Sequence, residues 1–214
     1  MRFFINIKDT SITHLFEMRT ITIKHEDFKH FLIEQLKNKS LLIRLYSALQ
    51  IIISILFIAQ VVYDFIQLFR TNENEHLISF LFVIPLIPLL IIIHELLHGL
   101  GYKIVGAKSV YFGMELKKFM FYAGSDRERI GGRKFLFIIL LPFVVISLGL
   151  LLYLILDFSH YRLILFLSFF HILSCSGDSA LLNFIFINGI DCVETEDFRA
   201  EQKTNYYIKM GSES

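Results

Sequence analysis

The run LLIIIHELLHGLGY, residues 89–102, sets two histidines and a glutamate inside an otherwise apolar stretch. Ionisable groups are costly in hydrocarbon, so a sequence that keeps them there has a use or a partner for them. Working outward, an uncharged run over residues 77–93 leads directly into His94, and the pattern continues helically to about Lys103. Three further apolar runs cover residues 45–63, 135–156 and about 163–187, the last containing His171 and Asp178. About 20 apolar residues cross a hydrocarbon core as a helix. Four such spans account for a hydrophobic content of 55% and a mean hydropathy of +0.59, both too high for a soluble chain of 214 residues. Pro85, Pro88 and Pro142 fall inside spans, where they free backbone carbonyls, bend helices and leave room between them.

Lys and Arg divide unevenly around these spans. Seven precede Leu41, eight lie between residues 103 and 134, and three follow in the tail, whereas the other two connections hold only Arg70 and Arg162. The positive-inside rule then predicts an even number of spans with both termini cytoplasmic. The first 40 residues are charged throughout and lack an apolar core with a small-residue cleavage site, so no signal peptide is expected. Net charge is +1, which offers no electrostatic basis for binding nucleic acid. Cys175 and Cys192 lie in unlike surroundings and read as reduced thiols rather than a disulfide.

Residues 26–37, EDFKHFLIEQLK, put Phe28, Phe31, Leu32 and Leu36 on one helical face. This predicts a helix lying on the cytoplasmic membrane surface or packed on the rest of the protein. Strand-forming residues in TITI are too few to place an element. Between residues 106 and 132, SVYFGMEL and FMFYAG are rich in strand formers and separated by Lys117 and Lys118, which predicts a hairpin at the cytoplasmic interface. The fold expected is an all-α membrane protein of four transmembrane helices, with a β-hairpin-like loop between helices 2 and 3 and an interfacial N-terminal helix. The expected organisation is a cytoplasmic N-terminal segment over 1–40, a four-helix membrane domain over 41–190 and a cytoplasmic tail over 191–214.

His94, Glu95 and His98 form HExxH. On a helix, residues i and i+4 are one turn apart, so both imidazoles can reach one zinc ion while Glu95 addresses a water. The alternative is a pair of histidines hydrogen-bonded to neighbouring helices. A hydrolytic zinc takes a third protein ligand. His94 lies 17 residues past Leu77 and Asp178 lies 16 past Arg162, so the two sit at similar depth. His171 would sit about 10 Å further out at 1.5 Å per residue, which favours Asp178 as third ligand and leaves His171 a supporting, substrate-polarising or structural group. Gly177 beside Asp178 would allow helices to approach closely. Asn183 could hydrogen-bond a ligand or a substrate backbone. Tyr102, one turn past His98, could donate to an oxyanion or serve only as an interfacial tyrosine.

HELLHGLGY in the second span, the Gly-rich hairpin-like loop, LLPF in the third span and SGD in the fourth together resemble the site-2-protease-like membrane zinc metallopeptidases. Within these, residues 77–190 are most similar to the small bacterial putative zincin peptidase family, a domain of unknown function. The resemblance implies zinc held by His94, His98 and Asp178, with Glu95 as acid and base. The Asp motif reads CSGDS, where well-studied site-2 proteases carry an Asn/Pro-containing segment leading to LDG, and this difference bears on substrate handling more than on metal. The reading is an intramembrane zinc metalloprotease of the bacterial plasma membrane, acting on a membrane protein or peptide near the cytoplasmic leaflet. The alternatives are a non-catalytic membrane protein stapled by its metal and a membrane zinc hydrolase with a non-protein substrate.

Overall fold

The computed structural model of the chain describes residues 17–38, 40–71, 75–115 and 120–210. In order these form β1 (Glu17–Lys24), α1 (His25–Lys37), α2 (Leu41–Thr71), α3 (Glu75–Ile104), β2 (Val110–Glu115), β3 (Met120–Ser125) and β4 (Arg129–Gly131). Then follow α4 (Gly132–Leu156), a 3-10 turn (Phe158–His160), α5 (Tyr161–Ser174), α6 (Ser176–Asn188), β5 (Val193–Phe198) and β6 (Lys203–Met210).

Three helical stretches, Leu41–Arg70, Val83–Ile104 and Gly132–Leu156, are long and apolar enough to cross a membrane. The pair over 158–174 and 176–188 becomes a fourth if its two halves count as one span, but they meet at 45°. Apolar side chains of α2, among them Leu45, Ile51, Ile55 and Ile58, are exposed along its length. So large an uncovered apolar surface suits lipid and not water.

The bend in the fourth span lies at Cys175 and is chemically provided for. Ser174 Oγ donates to the His171 carbonyl at 2.8 Å and Ser176 Oγ to the Leu173 carbonyl at 2.7 Å. Tyr46 of α2 donates to the Ile172 carbonyl at 2.5 Å. The His171 carbonyl keeps its helical bond from the Cys175 amide, while hydroxyls take up the Ile172 and Leu173 carbonyls that an unbroken helix would have used itself, which is how a break is tolerated at membrane depth.

Two small antiparallel sheets accompany the helices, so the protein is mostly helical and not all-α. One is the expected hairpin, β2 with β3, from Val110 opposite Ser125 to Glu115 opposite Met120. Its tip at 116–119, with Lys117 and Lys118, lies outside the described residues, as do residues 1–16. The other sheet has the order β1-β6-β5-β4 and pairs the two ends of the described chain, Glu17 opposite Met210 and Lys24 opposite Lys203. Along β6 Thr204, Tyr206 and Ile208 are buried in alternation, the period-2 mark of a sheet with one face on a core.

That core joins sheet to helices. Phe31 of α1 lies between Phe184 of α6 and Tyr206 of β6, at ring-centroid distances of 5.4 and 5.6 Å. Of the two readings of the N-terminal helix, the structure thus has the packed one. Ile138 and Ile139 of α4 and Ile185 of α6 complete the centre of the cluster.

Candidate metal centre

Helix α3 carries His94 and His98 on one face, both buried. Opposite them stands Asp178, in the first turn of α6, where the helix dipole favours an acid. His94 Nε2 is 3.0 Å from Asp178 Oδ2, and His98 Nε2 is 3.2 Å from Asp178 Oδ1. The two Nε2 atoms are 3.1 Å apart. Tetrahedral zinc, with bonds of about 2.0–2.1 Å, spaces its ligand atoms about 3.3 Å apart, close to the separations in this triangle of residues, in which a different Asp178 oxygen faces each ring.

Hydrogen bonding inside the triangle is poor despite the short distances. Asp178 Oδ2, His94 Nδ1 and Glu95 Oε2 are buried and have no hydrogen-bond partner. Asp178 Oδ2 and Glu95 Oε2 belong to residues lining one cavity, and two orphaned carboxylate oxygens there are expensive unless an ion and its water shell belong beside them, whereas His94 Nδ1 lies on the far side of its ring from Nε2. The donor set and its spacing fit zinc.

The orientation of His98 has a cause in sequence. Its Nδ1 lies 3.0 Å from the Ile138 carbonyl oxygen, which can only accept, so Nδ1 of the neutral ring holds the proton and Nε2 is free to bind metal. In an unbroken helix the Ile138 carbonyl would accept from residue 142. Residue 142 is Pro142, which has no N–H to give. Gly101 lets α4 come this near, since a Cβ there would sit 3.2 Å from Ile138 Cα. Gly99 seats the hairpin in the same way, because its Cβ would meet the Phe112 ring at 2.4 Å. The GLGY that follows HExxH is therefore a docking surface for two partners.

Glu95 is partly buried and lines a cavity of about 610 Å³ that also reaches His94, His98 and Asp178. The Ala123 amide of β3 is hydrogen-bonded to the Glu95 carboxylate. Neither this strand contact nor the Pro142–His98 relation was foreseen in sequence, although Pro142 was the available signal.

His171 is closer than its depth on a straight helix implied. Its ring centroid is 6.1 Å from that of His94, because the 45° bend at Cys175 tilts α6 relative to α5. Its Nε2 is 3.2 Å from Ser147 Oγ and its ring stacks on Phe143. Together with His94 and Cys175 it forms a second group of ligand atoms, all within 4.8 Å of one another. That group is looser than the 3.0–3.2 Å triangle, and His171 and Cys175 do not line the cavity.

Asn183 is placed elsewhere. Its Oδ1 accepts from Ser40 at 2.6 Å and its Nδ2 donates to the Gln35 carbonyl at 3.0 Å, so both amide atoms serve to tie α6 to the end of α1. Asn183 does not line the cavity of the metal centre. At Gly177 a Cβ would be an ordinary 3.6 Å from Leu32, so no tight helix crossing depends on this glycine. Tyr102 is buried and does line the cavity.

Beyond the cluster, toward the sheet, the same cavity is lined by Asp197, Tyr111 and Tyr206. Burial pushes the Asp197 carboxyl up to about 6, against the opposing pull of the Thr204 hydroxyl and the Ser125 amide. Nothing in the sequence reading singled out Asp197. The alternation of Thr204, Tyr206 and Ile208 was the signal that the tail forms a buried strand behind it.

The class these features define is a mostly helical protein with helices long and apolar enough to cross a membrane and a candidate His-rich metal site at their sheet-side end. Residues 87–192 match the model of the family described as "Putative zincin peptidase", which points to a zinc-metallopeptidase-like function. The matched segment contains HExxH, the hairpin, Pro142 and Asp178, whereas β1, α1, β5 and β6 lie outside it. Comparisons with curated proteins and with solved structures gave no match.

Proposed function

We propose that the chain is an intramembrane zinc protease, cleaving a peptide bond in or beside a membrane segment of another protein. The observation that carries this reading is the triangle of His94, His98 and Asp178 atoms, spaced for one tetrahedral ion, with Glu95 opening onto the same cavity. Zinc, when bound, supplies a Lewis acid that polarises a carbonyl and acidifies water.

The chain's own residues do the rest. Glu95, whose Oε2 has no partner, accepts the proton of the attacking water and returns it to the leaving nitrogen. The water's oxygen forms the new bond to the carbonyl carbon as the C–N bond breaks. A helical substrate hides its carbonyls and must unwind, and β3, lying beside Glu95 at Ala123, is placed to hold it as an added strand. The Lys and Arg bias of the connections supports a cytoplasmic position for sheet and site, with both termini on that side.

A second reading is favoured by one observation. His94, His171 and Cys175 could close a structural site that staples α3 to α5 without chemistry. Metal content per chain separates the two. Near one zinc in wild type, Glu95→Gln and Cys175→Ser, with loss in Asp178→Ala, supports the protease, and loss in Cys175→Ser supports the staple. Incubating the purified protein with membrane-segment peptides and with lipids, followed by mass spectrometry, identifies the bond that is cut. Cleavage of lipid alone would overturn the assignment to proteins.

A further inference from the structure

Asp197 stands at the sheet-side end of the cavity, in an unusual state for a carboxylate. It accepts from Thr204 Oγ1 at 2.7 Å and from the Ser125 amide, and no Lys, Arg or His of the described residues pairs with it. Around it lie Tyr102, Tyr111 and Tyr206, each close enough to feel its charge. A buried carboxylate without a cation is normally avoided, because burial disfavours its charged form. The raised Asp197 carboxyl is that effect. Asp197 and the three tyrosines line the cavity; Tyr111 already carries the Arg199 guanidinium 5.0 Å from its ring centroid, so a positive guest beside Asp197 gains an ion pair there and cation–π contact with Tyr102 and Tyr206.

The position is set relative to the metal triangle. Tyr102 follows His94 by eight residues on one helix, about 12 Å at 1.5 Å per residue. An extended chain covers that in three or four residues at about 3.3 Å each. Strand β3 runs the same way, with Ala123 at Glu95 and Ser125, two residues on, at Asp197. Membrane segments carry Lys and Arg just past their cytoplasmic end.

Resting on the protease reading above, we propose that Asp197 with Tyr102, Tyr111 and Tyr206 forms a subsite for a Lys or Arg side chain of the substrate. This basic residue lies three or four positions from the bond cut, on the sheet side. It sets the register of the membrane segment against the metal centre. Asp197 and Tyr206 lie past the segment that matches the zincin family, whereas Tyr102 and Tyr111 lie within it, so the subsite joins the matched segment to the tail.

The test uses Glu95→Gln protein in detergent with zinc, so that peptides bind without being consumed. Fluorescent, N-acetylated peptides with a 20-residue apolar segment followed by Lys, Arg, norleucine or Glu are titrated by anisotropy. Lys and Arg peptides should bind about tenfold or more tightly than norleucine, with Glu weakest. Adding Asp197→Asn should abolish the difference with zinc content unchanged, and Asp197→Glu should restore part of it. Equal affinities, a preference that survives Asp197→Asn, or no binding of any peptide would overturn the subsite. A norleucine peptide with a free amino terminus binding as tightly as Lys would assign the site to an α-ammonium and overturn the side-chain proposal. Loss of the protease reading shows separately, as absence of zinc or of cleavage by the Glu95 enzyme, while the charge preference is read without either.

Discussion

Asp178 and Asp197 line one cavity and are partnered in opposite ways. Asp178 has an imidazole on each side, at 3.0 and 3.2 Å, while Asp197 has a hydroxyl, an amide and three phenol rings but pairs with no cation among the described residues. Both are carboxylates removed from water, and the energetic problem is the same for each. The difference lies in the proposed source of positive charge: for Asp178 a metal ion held with the two imidazoles, and for Asp197 the substrate. On that proposal the first carboxylate fixes a reagent, and the second selects what the reagent acts on.

Several changes would break or sharpen that contrast. The largest effect is expected at the first carboxylate. Asp178→Ala should lose zinc and all measurable peptide hydrolysis, while Asp197→Asn keeps zinc, as read by elemental analysis of both purified proteins. Glu95→Gln should retain zinc and slow hydrolysis by a factor on the order of 10²–10⁴.

Pro142→Ala probes the support of the metal site. An N–H restored at residue 142 competes with His98 for the Ile138 carbonyl, so zinc affinity should fall about tenfold, measured by competition with a chelator. Thermal stability of the metal-free protein should stay level or rise, since a helix gains a bond. A parallel loss of both would mark Pro142 as a packing residue only.

Gly99→Ala forces a methyl group into Phe112 and should destabilise the hairpin by about 1–3 kcal/mol. Adding Phe112→Ala should recover most of this, which thermal melts of the single and double variants can decide.

The smallest effect concerns pH. Asp197 has a folded value of about 6 against an ordinary 3.8, so the folded protein holds a proton there that the unfolded chain has already released. Stability from this group is therefore greatest below about pH 4 and declines as pH rises to about 6, by an amount on the order of 2 kcal/mol. The difference between wild-type and Asp197→Asn melting curves should show that slope. An opposite slope would mean that a cation reaches Asp197 in the protein alone.

What could be read in advance follows the range of the interactions involved. Helical spacing in HExxH, the hairpin and the apolar runs are local patterns, and the structure has the corresponding α3, β2–β3 and helices. Depth counting brought Asp178 level with His94, but it treated the fourth span as straight and so misplaced His171. Ser176 of CSGDS, which caps the Leu173 carbonyl, was visible, although the bend also depends on α2 supplying Tyr46. Asn183 was open to several partners in sequence, and only the packing of α1 on α6 shows that Ser40 and Gln35 take both its amide atoms.

By itself, then, the sequence determined the apolar helices, the pair of imidazoles one turn apart and the acid beside them, because each depends on chain geometry over a few residues. Tertiary structure alone decided that Ile138 orients His98, that strands near the two ends of the described chain close one sheet, and that Asp197 enters the cavity of the metal centre. Those contacts join residues 40 to 190 positions apart, and no short-range periodicity records which distant surfaces will meet when the apolar faces are buried.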